Sequence, residues 1–170
     1  MTSTNNNLLS DISVLDLSQG VAGPFSTKLL AGLGAEVIKV EPPDTGDLSR
    51  SSEPFLGGTP TLETSALFSY INTSKKSVTL NPDVPQQAQA IKKLAQDCDI
   101  LVESFAPGYL DYLGLGYGDL SEAHPALIYV SVTPFGQTGP YSQYKGSDIV
   151  AQAAGALMYT IGLPLSLIHI

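Results

Sequence analysis

Short apolar runs alternate with helical patterns along most of this chain. Five runs of aliphatic and β-branched residues have the length and composition of buried strands, at residues 14–17, 36–40, 77–80, 100–102 and 127–132. Three stretches repeat apolar side chains at helical spacing, at residues 24–32, 85–96 and from 148 onward. Strands that alternate with helices are typical of a parallel sheet with helices on its faces, so we predict an open, doubly wound α/β fold.

Two of the predicted helices show which residues share a face. In the first, Phe25, Leu29 and Leu33 lie on one apolar face. In the second, Lys92 and Lys93 are expected to face solvent, opposite a buried stripe made of Ala88, Ile91, Leu94 and Ala95. Between these helices, prolines and glycines break any regular element from residue 41 to residue 64, which predicts a long loop with a functional role.

In a doubly wound sheet, ligands bind at the carboxyl ends of the strands. The loops expected at this edge hold most of the chain's unusual residues, and they are 18–24, 41–46, 103–108 and 133–146. In the first loop, Gly20, Gly23 and Pro24 predict either a helix start that faces an anion or a plain turn. This loop lacks the GxGxxG fingerprint, and the chain has no P-loop motif. We therefore expect a ligand crevice that is neither a nicotinamide site nor an ATP site.

Composition narrows the function classes. The 170 residues carry a net charge of −8 with only eight basic residues, and no segment approaches the ~20 apolar residues of a membrane span. Nucleic acids and membrane surfaces would need a basic face, so we expect neither as a partner. Cys98 is the single cysteine and lies between Asp97 and Asp99, which excludes an internal disulfide and disfavours a thiolate. No histidine pair has ligand spacing, so we expect no metal site, and we expect a reducing compartment such as the cytoplasm.

Few side chains could contact an anionic ligand. Lys75 and Lys76 form a basic pair, which we expect to be exposed and either to bind phosphate groups or to be ordinary surface lysines. Lys145 is a third candidate of the same kind. The loop 135–140 offers backbone N–H groups that could stabilise an oxyanion, or it is a structural turn. Asp148 is either a buried acid or a residue that caps a helix.

A further signal comes from several segments in a fixed order. They are Val14-Leu15-Asp16-Leu17, Ala22-Gly23-Pro24, residues 33–41, Gly46-Asp47, Ser74-Lys75-Lys76-Ser77, residues 101–108 and residues 135–140. Together they resemble the class III CoA-transferases (the CaiB/BaiF type), the family of formyl-CoA and carnitine CoA-transferases. The resemblance covers residues 11–162. It implies a Rossmann-like sheet that holds coenzyme A, an interlocked homodimer, and an acyl-CoA and a carboxylic acid as substrates.

The resemblance also implies which residues contact coenzyme A. They are Val21 and Ala22 along the site, Ser104, Phe105 and Ala106 at the adenine end, Lys75 and Lys145 near the phosphates, and Asp148 close by. The family often has asparagine in place of Ser104 and arginine in place of Ala106. Some members also have arginine where this chain has Pro42 or Tyr112, so we expect the phosphates to be anchored differently here.

The catalytic residue implied by the resemblance is an aspartate on a glycine-rich loop downstream of Ile170. In complete members it attacks the acyl-CoA, and the reaction passes through a mixed anhydride and an aspartyl-CoA thioester. We therefore expect no catalytic residue in this chain and an inactive fragment. We expect residues 1–10 to form a flexible arm, 11–162 to form part of the large domain, and 163–170 to be a non-native tail.

Two other functions stay open at this point. An acyl-CoA racemase has the same fold, but racemases of the family tend to have histidine where this chain has Ser147, which favours transfer over racemisation. The second alternative, from another class, is a binding-only or inert α/β module.

Overall fold

The computed structural model describes residues 7–160, which form two compact units that divide between Val132 and Thr133. The predicted tail 163–170 lies outside the described residues, as do the first six residues of the predicted arm. The predicted domain 11–162 stays a prediction. None of the helices within the described residues combines the length and the apolar character of a membrane span.

The first unit is built on a five-stranded parallel sheet, which confirms the predicted α/β class. Its strands are β1 (Ser13–Asp16), β2 (Glu36–Glu41), β3 (Lys76–Thr79), β4 (Ile100–Glu103) and β5 (Ile128–Ser131). Their spatial order is β3-β2-β1-β4-β5. The central strand β1 pairs with β2 on one side and with β4 on the other, so that Leu15 lies between Ile38 and Leu101.

Helices connect these strands. Those described in the first unit are α1 (Ala22–Gly32), α2 (Ala66–Ile71), α3 (Pro85–Gln96), α4 (Tyr109–Tyr112) and α5 (Tyr117–Ala123). Two 3₁₀ turns, Leu48–Ser51 and Leu56–Gly58, order the loop that follows β2. The second unit contains α6 (Asp148–Ala154) and α7 (Leu157–Thr160).

The core has two layers, one on each face of the sheet. Because neighbouring side chains of a strand point to opposite faces, Val14 and Val102 belong to one cluster while Leu15 and Leu101 belong to the other. The first cluster includes Ala31 of α1. The second cluster includes the buried residues of α3, namely Ala88, Ile91 and Ala95. Both faces are covered at the central strands, as in other parallel sheets, whereas Ile128 and Val130 of the edge strand β5 are 56% and 39% exposed.

The face of α1 that packs against the sheet is made of small residues. Phe25, Leu29 and Leu33 do share one face, but they are 38–53% exposed. The buried residues of the helix are Gly23, Pro24, Thr27 and Ala31. A Cβ at Gly23 would overlap the Ser18 side chain, so this glycine allows the helix to approach the end of β1 closely. The apolar side chains on the outer face therefore do not identify the packed face of this helix.

The predicted element boundaries agree best for α3, which begins and ends where the sequence predicts. Its buried residues are those of the predicted stripe, apart from Leu94, which is partly buried against the same cluster. The helix predicted from Asp148 through Leu157 instead ends at Ala154, because Ala156 adopts a left-handed φ of 60°. Helices α2, α4 and α5 were not predicted, and each is too short, at four to seven residues, to show a helical repeat.

Candidate functional site

A topological switch point lies between β1 and β4. From β1 the chain proceeds outward to β2 and β3, and it then returns to the other side of β1 to form β4 and β5. Doubly wound sheets bind ligands outside the carboxyl ends of the strands at such a point. Here the loops after β1 and β4 touch, because the Gln19 N–H donates to the Ser104 hydroxyl at 2.8 Å. The two loops that were expected to frame a crevice therefore meet at this edge of the sheet, and Ser104 lies where they touch.

A cavity of about 360 Å³ opens at this edge of the sheet. Its lining comes from the end of β2, from the loops after β1, β2, β3 and β4, and from α3 and α4. Apolar side chains line much of it, among them Leu17, Val40, Ile91, Phe105 and Leu110. The rings of Phe105 and Tyr109 stack with centroids 5.0 Å apart and offer an aromatic wall. Such a wall suits a flat, uncharged group.

Two carboxylates, Asp44 and Asp83, stand at the exposed rim of this cavity. The Tyr109 hydroxyl donates to the Asp83 carboxylate at 2.7 Å. Burial raises the pKa of Tyr109 to about 12, and the neighbouring Asp83 acts in the same direction. Tyr109 is therefore a neutral hydrogen-bond donor at ordinary pH, and it holds Asp83 at the rim.

Four buried charged side chains lie beneath the loop that follows β1. They are Asp16 at the end of β1, Lys39 in β2, Asp47 before the first 3₁₀ turn, and Lys75 before β3. The Lys39 Nζ lies 2.7 Å from an Asp47 carboxylate oxygen and 3.9 Å from Asp16. The Lys75 Nζ lies 2.9 Å from Asp16. Two anions and two cations balance, which allows all four to be buried.

This charged cluster also holds the crevice loop in place. Asp16 accepts hydrogen bonds from the Ser18 N–H at 3.0 Å, from the Ser18 hydroxyl and from the Thr27 hydroxyl at 2.6 Å. Lys39 donates to the Ser18 carbonyl, and the Gly20 N–H donates to Asp47 at 3.2 Å. Burial alone would raise the pKa of Asp16, but the two lysines and these hydrogen bonds bring that pKa below its usual range. The buried side chains of Asp16, Lys39 and Asp47 thus fix the backbone of the loop that follows β1.

Lys75 corrects the sequence prediction of an exposed basic pair. Its side chain is 1% exposed, and its ammonium group donates to Asp16, to the Pro24 carbonyl at 2.8 Å and to the Asn72 side chain at 2.7 Å. Burial lowers the pKa of Lys75, although the Asp16 carboxylate opposes that shift. An ammonium group has three N–H donors, and all three are used within the protein. Lys76 is exposed as predicted and pairs with Glu36 at 2.6 Å.

The loop after β2 is ordered by a second ion pair. Arg50 donates to both Glu41 carboxylate oxygens, at 2.6 and 3.0 Å, and also to the Leu62 carbonyl at 2.7 Å. Its guanidinium lies over the Phe68 ring at 3.6 Å. Burial by itself raises the pKa of Glu41, but hydrogen bonds from Arg50 and Ser77 outweigh it and lower that pKa to about 2. The long loop predicted from its prolines and glycines is therefore pinned to the sheet.

The other predicted contact residues of the first unit lie at the same edge of the sheet. Val21 and Ala22 are exposed at the start of α1, and Phe105 lines the cavity. Ala106 is exposed, and its carbonyl accepts from the Tyr109 N–H at 3.0 Å. The structure thus brings these residues to the crevice edge, and their contacts with coenzyme A stay predictions.

The remaining two predicted contact residues belong to the second unit. Lys145 is exposed, and Asp148 is exposed in the first turn of α6, where the Gln152 amide donates to its carboxylate. The alternative of a buried acid at Asp148 is wrong, and so is that of a helix cap, because Ser147 holds the N-cap position; Asp148 lies in the first turn, where its charge complements the positive end of the helix. Gly136 and Gly139 in the loop 135–140 both have positive φ, a conformation that glycine adopts at little cost and that is common in tight turns. The roles of Lys145 and Asp148 toward coenzyme A stay predictions.

Cys98 behaves as the sequence predicts. It is buried in the core, and burial raises the pKa of its thiol to about 11, with Asp97 and Asp99 adding to the effect. Within residues 7–160 no group of three histidine, cysteine, aspartate or glutamate side chains could hold a metal ion. Sequence reasoning missed Lys39 and Asp47, although a lysine inside an apolar strand is a sign of a buried anionic partner.

Comparison with known proteins gives a consistent result. Residues 9–166 match the family model described as CoA-transferase family III. Human succinyl-CoA:glutarate CoA-transferase is 45% identical over 159 residues, which cover 92% of this chain and 35% of that protein. Acetyl-CoA:oxalate CoA-transferase of Acetobacter aceti is 38% identical, over 89% of this chain and 38% of that protein.

Two solved structures are also similar to this chain. A CAIB/BAIF family protein from Brucella suis has a TM-score of 0.81 and 35% identity, and the match covers 91% of this chain and 41% of that one. Rv3272 from Mycobacterium tuberculosis has a TM-score of 0.82 and 38% identity, over 92% of this chain and 42% of that one. The chain therefore spans between 35% and 42% of the length of these proteins.

Proposed function

Because the chain belongs to CoA-transferase family III, we propose that it forms the coenzyme A-binding part of an enzyme that transfers CoA from an acyl-CoA to a carboxylic acid. The observation that carries this proposal is the match of residues 9–166 to the family model. The crevice supports it, because a cavity with an aromatic wall opens at the switch point of the sheet, where such folds bind nucleotide ligands.

The acceptor is most simply a dicarboxylic acid. The human relative is named for succinyl-CoA and glutarate, and the Acetobacter relative for acetyl-CoA and oxalate. These acceptors share two carboxylates on a short carbon chain. We include the interlocked homodimer and the cytoplasmic location in the proposal, as the family resemblance and the composition imply.

The covalent step in this proposal uses an aspartate from outside the chain. Its carboxylate attacks the thioester carbonyl, which forms a mixed anhydride and releases the CoA thiolate. The thiolate then attacks the aspartyl carbonyl, which gives an aspartyl-CoA thioester and frees the first acid. The acceptor acid and the thiolate repeat these two steps in reverse, so that the aspartate is regenerated and the new acyl-CoA leaves.

The residues of this chain bind and position the substrate in that scheme. Phe105 and Tyr109 provide a stacking surface, and the Gln19–Ser104 hydrogen bond joins the two loops that frame the crevice. The buried cluster of Asp16, Lys39, Asp47 and Lys75 fixes the backbone beneath them.

The activity can be tested with the full-length protein, succinyl-CoA and a panel of dicarboxylic acids. Mass spectrometry should detect a new CoA thioester of the acceptor. Binding of CoA without any transfer would overturn the transferase in favour of a binding module. Exchange of the α-proton of a 2-methylacyl-CoA without an acceptor would overturn it in favour of a racemase.

A substitution at the crevice tests the assigned site. Ser104→Ala removes the 2.8 Å hydrogen bond between the two loops, and we expect the KM for the acyl-CoA to rise about 2- to 12-fold. The matched control is Ser121→Ala, because the hydroxyl of the half-buried Ser121 donates to the Gly118 carbonyl within α5. Equal KM values for the two variants would contradict the placement of the site.

A further inference from the structure

The two strands that flank the switch point each end in a buried carboxylate. Asp16 is the last residue of β1 and Glu103 is the last residue of β4. Each accepts a hydrogen bond from the backbone N–H two residues further along the chain, Asp16 from Ser18 at 3.0 Å and Glu103 from Phe105 at 2.7 Å. A buried carboxylate therefore holds the first residues of both loops that meet at this edge of the sheet.

Glu103 is also tied to the neighbouring strand β5. The Ser131 hydroxyl donates to its carboxylate, and its backbone carbonyl accepts from the Val132 N–H at 2.8 Å. Burial raises the pKa of Glu103, and the hydrogen bonds from Ser131 and from the Phe105 N–H oppose that shift only in part. A buried carboxylate depends on its donors, because leaving it unsatisfied costs more than the hydrogen bond itself contributes. Movement of Phe105 away from Glu103 is therefore opposed.

The residue that Glu103 holds in this way presents its ring to the crevice. Phe105 lines the cavity of about 360 Å³, and its ring stacks on that of Tyr109 with centroids 5.0 Å apart. The backbone position of a residue and its side-chain rotamer together set where its ring lies. Glu103 is 3% exposed and lies beneath the loop, so it acts on a ligand through Phe105.

We propose that Glu103 is a positioning residue for the acyl-CoA, because its carboxylate fixes the backbone of Phe105 and thereby the aromatic wall of the crevice. This inference rests on the proposed function, since it assumes that CoA occupies the crevice. Stacking of a base on one aromatic ring changes affinity by at least about 5-fold, so a displaced ring should be visible in the KM for the acyl-CoA.

Two substitutions in the full-length protein separate the hydrogen bond of Glu103 from its charge. Methionine and glutamine both have about the size of glutamate and both lack its charge, but only the glutamine oxygen can still accept from the Phe105 N–H. We expect Glu103→Met to raise the KM for the acyl-CoA about 5- to 50-fold with little change in kcat, and Glu103→Gln to raise it about 2-fold or less. Equal KM values for the two variants would overturn the proposal.

The separation of KM from kcat distinguishes positioning from a merely structural role. A variant that only unfolds more readily has fewer active molecules, which lowers the apparent kcat and leaves KM unchanged. That result for Glu103→Met would overturn the proposal.

The matched control is Asp99→Leu at the amino-terminal edge of the sheet. The Asp99 carboxylate, just before β4, likewise accepts from a backbone N–H and from a hydroxyl, both of Ser13 and both at 2.8 Å. Leucine has about the size of aspartate and offers no acceptor. Asp99→Leu should leave the KM for the acyl-CoA unchanged, and a rise equal to that of Glu103→Met would contradict the proposal.

A double-mutant cycle shows whether Glu103 acts through the Phe105 ring. Phe105→Ala removes the ring itself and should raise the KM about 5- to 150-fold. Adding Glu103→Met to Phe105→Ala should then raise the KM further by about 2-fold or less, because the two changes remove the same contact. If the two effects multiply, Glu103 acts elsewhere and the proposal is wrong.

The outcomes for this inference and for the proposed function are distinct. If Phe105→Ala raises the KM and Glu103→Met does not, the inference is overturned while the function stands. If Phe105→Ala leaves the KM unchanged, the ring does not contact the ligand, and the inference is again overturned. If the unsubstituted protein neither binds CoA nor transfers it, the proposed function is overturned, and this inference with it.

Hydrogen exchange tests the same contact without a substitution, which matters if Glu103→Met fails to fold. Because the Phe105 N–H donates to a buried carboxylate, it should exchange at least about 10-fold more slowly than an unprotected loop amide in the full-length protein. Exchange at the rate of an unprotected amide would overturn the proposal.

Discussion

Lys39→Met should lower the free energy of unfolding of this protein far more than Lys76→Met does. Both lysines lie in neighbouring strands of the sheet, and both contact a carboxylate at almost the same distance, 2.7 Å for Lys39 with Asp47 and 2.6 Å for Lys76 with Glu36. They differ in burial, since the Lys39 side chain is 1% exposed and that of Lys76 is 72% exposed. The comparison therefore sets a buried lysine in a charged cluster against an exposed ion pair with a similar N–O distance.

The size of the effect follows from what each substitution leaves behind. Methionine keeps most of the lysine stem, but it leaves the buried Asp47 carboxylate without its cation and removes a neighbour of Asp16. Breaking a buried pair in this way costs about 3–5 kcal/mol, whereas an exposed pair is worth about 0–1 kcal/mol. A domain is stable by about 5–15 kcal/mol, so Lys39→Met removes a large share of that stability.

Urea unfolding followed by far-ultraviolet circular dichroism measures the difference, since the chain has no tryptophan. The two variants should differ by at least about 2 kcal/mol in the free energy of unfolding. Adding Asp47→Asn to Lys39→Met should restore part of the loss, because the uncompensated carboxylate is then removed. If both single variants lie within about 1 kcal/mol of each other, the buried cluster does not hold the sheet edge as we argue.

Three further predictions concern pH, packing and reactivity. The pKa of Glu41 falls from 4.5 to about 2 on folding, so its ionised carboxylate contributes about 3 kcal/mol of stability above pH 4.5, and this contribution is lost as the pH falls toward 2. Glu41→Gln should therefore make the free energy of unfolding depend less on pH between 4.5 and 2. An unchanged pH dependence would refute this. Gly23→Ala should destabilise the protein and weaken CoA binding, because the new methyl group would overlap Ser18. The methyl group of Gly32→Ala meets no atom within 4 Å, so that variant should gain about 0.5–1 kcal/mol in the free energy of unfolding. Similar melting temperatures of the two variants would contradict the packing of α1. Cys98 should react with a thiol reagent only after urea unfolding, because burial raises its pKa to about 11, and rapid reaction of the native protein would disprove this.

The sheet and α3 could be predicted because their apolar residues follow simple repeats. The central strands β1 and β4 are short apolar runs, and α3 starts at Pro85, which suits the first turn of a helix. The packed face of α1 could not be predicted, since hydrophobicity points to the exposed Phe25 and Leu29 rather than to small residues such as Gly23. A helix that packs closely against a sheet needs small residues at the contact, and the spacing of apolar residues does not show where these small residues lie.

The site could be predicted only in part for a similar reason. The sequence places the crevice loops at one edge of the sheet, and Ser104 and Phe105 do lie there. The burial of Lys75 depends on Asp16, which is 59 residues away in the chain. A lysine that ends in a buried pair and one that ends in solvent have the same local sequence pattern, so the partner has to be seen in the fold.

The pairing of β1 with β4 gives the crevice a distinct place in the folding of the chain. Val14 and Ile100 are neighbours in the sheet although 86 residues separate them. Contacts across so long a loop form slowly, because the entropy of closing the loop opposes them. The hydrogen bond between Gln19 and Ser104 can form only after this closure. A ligand held by both loops therefore stabilises the fully closed sheet over any partly folded state, and the recovery of ligand binding during refolding marks the moment when the two halves of the sheet join.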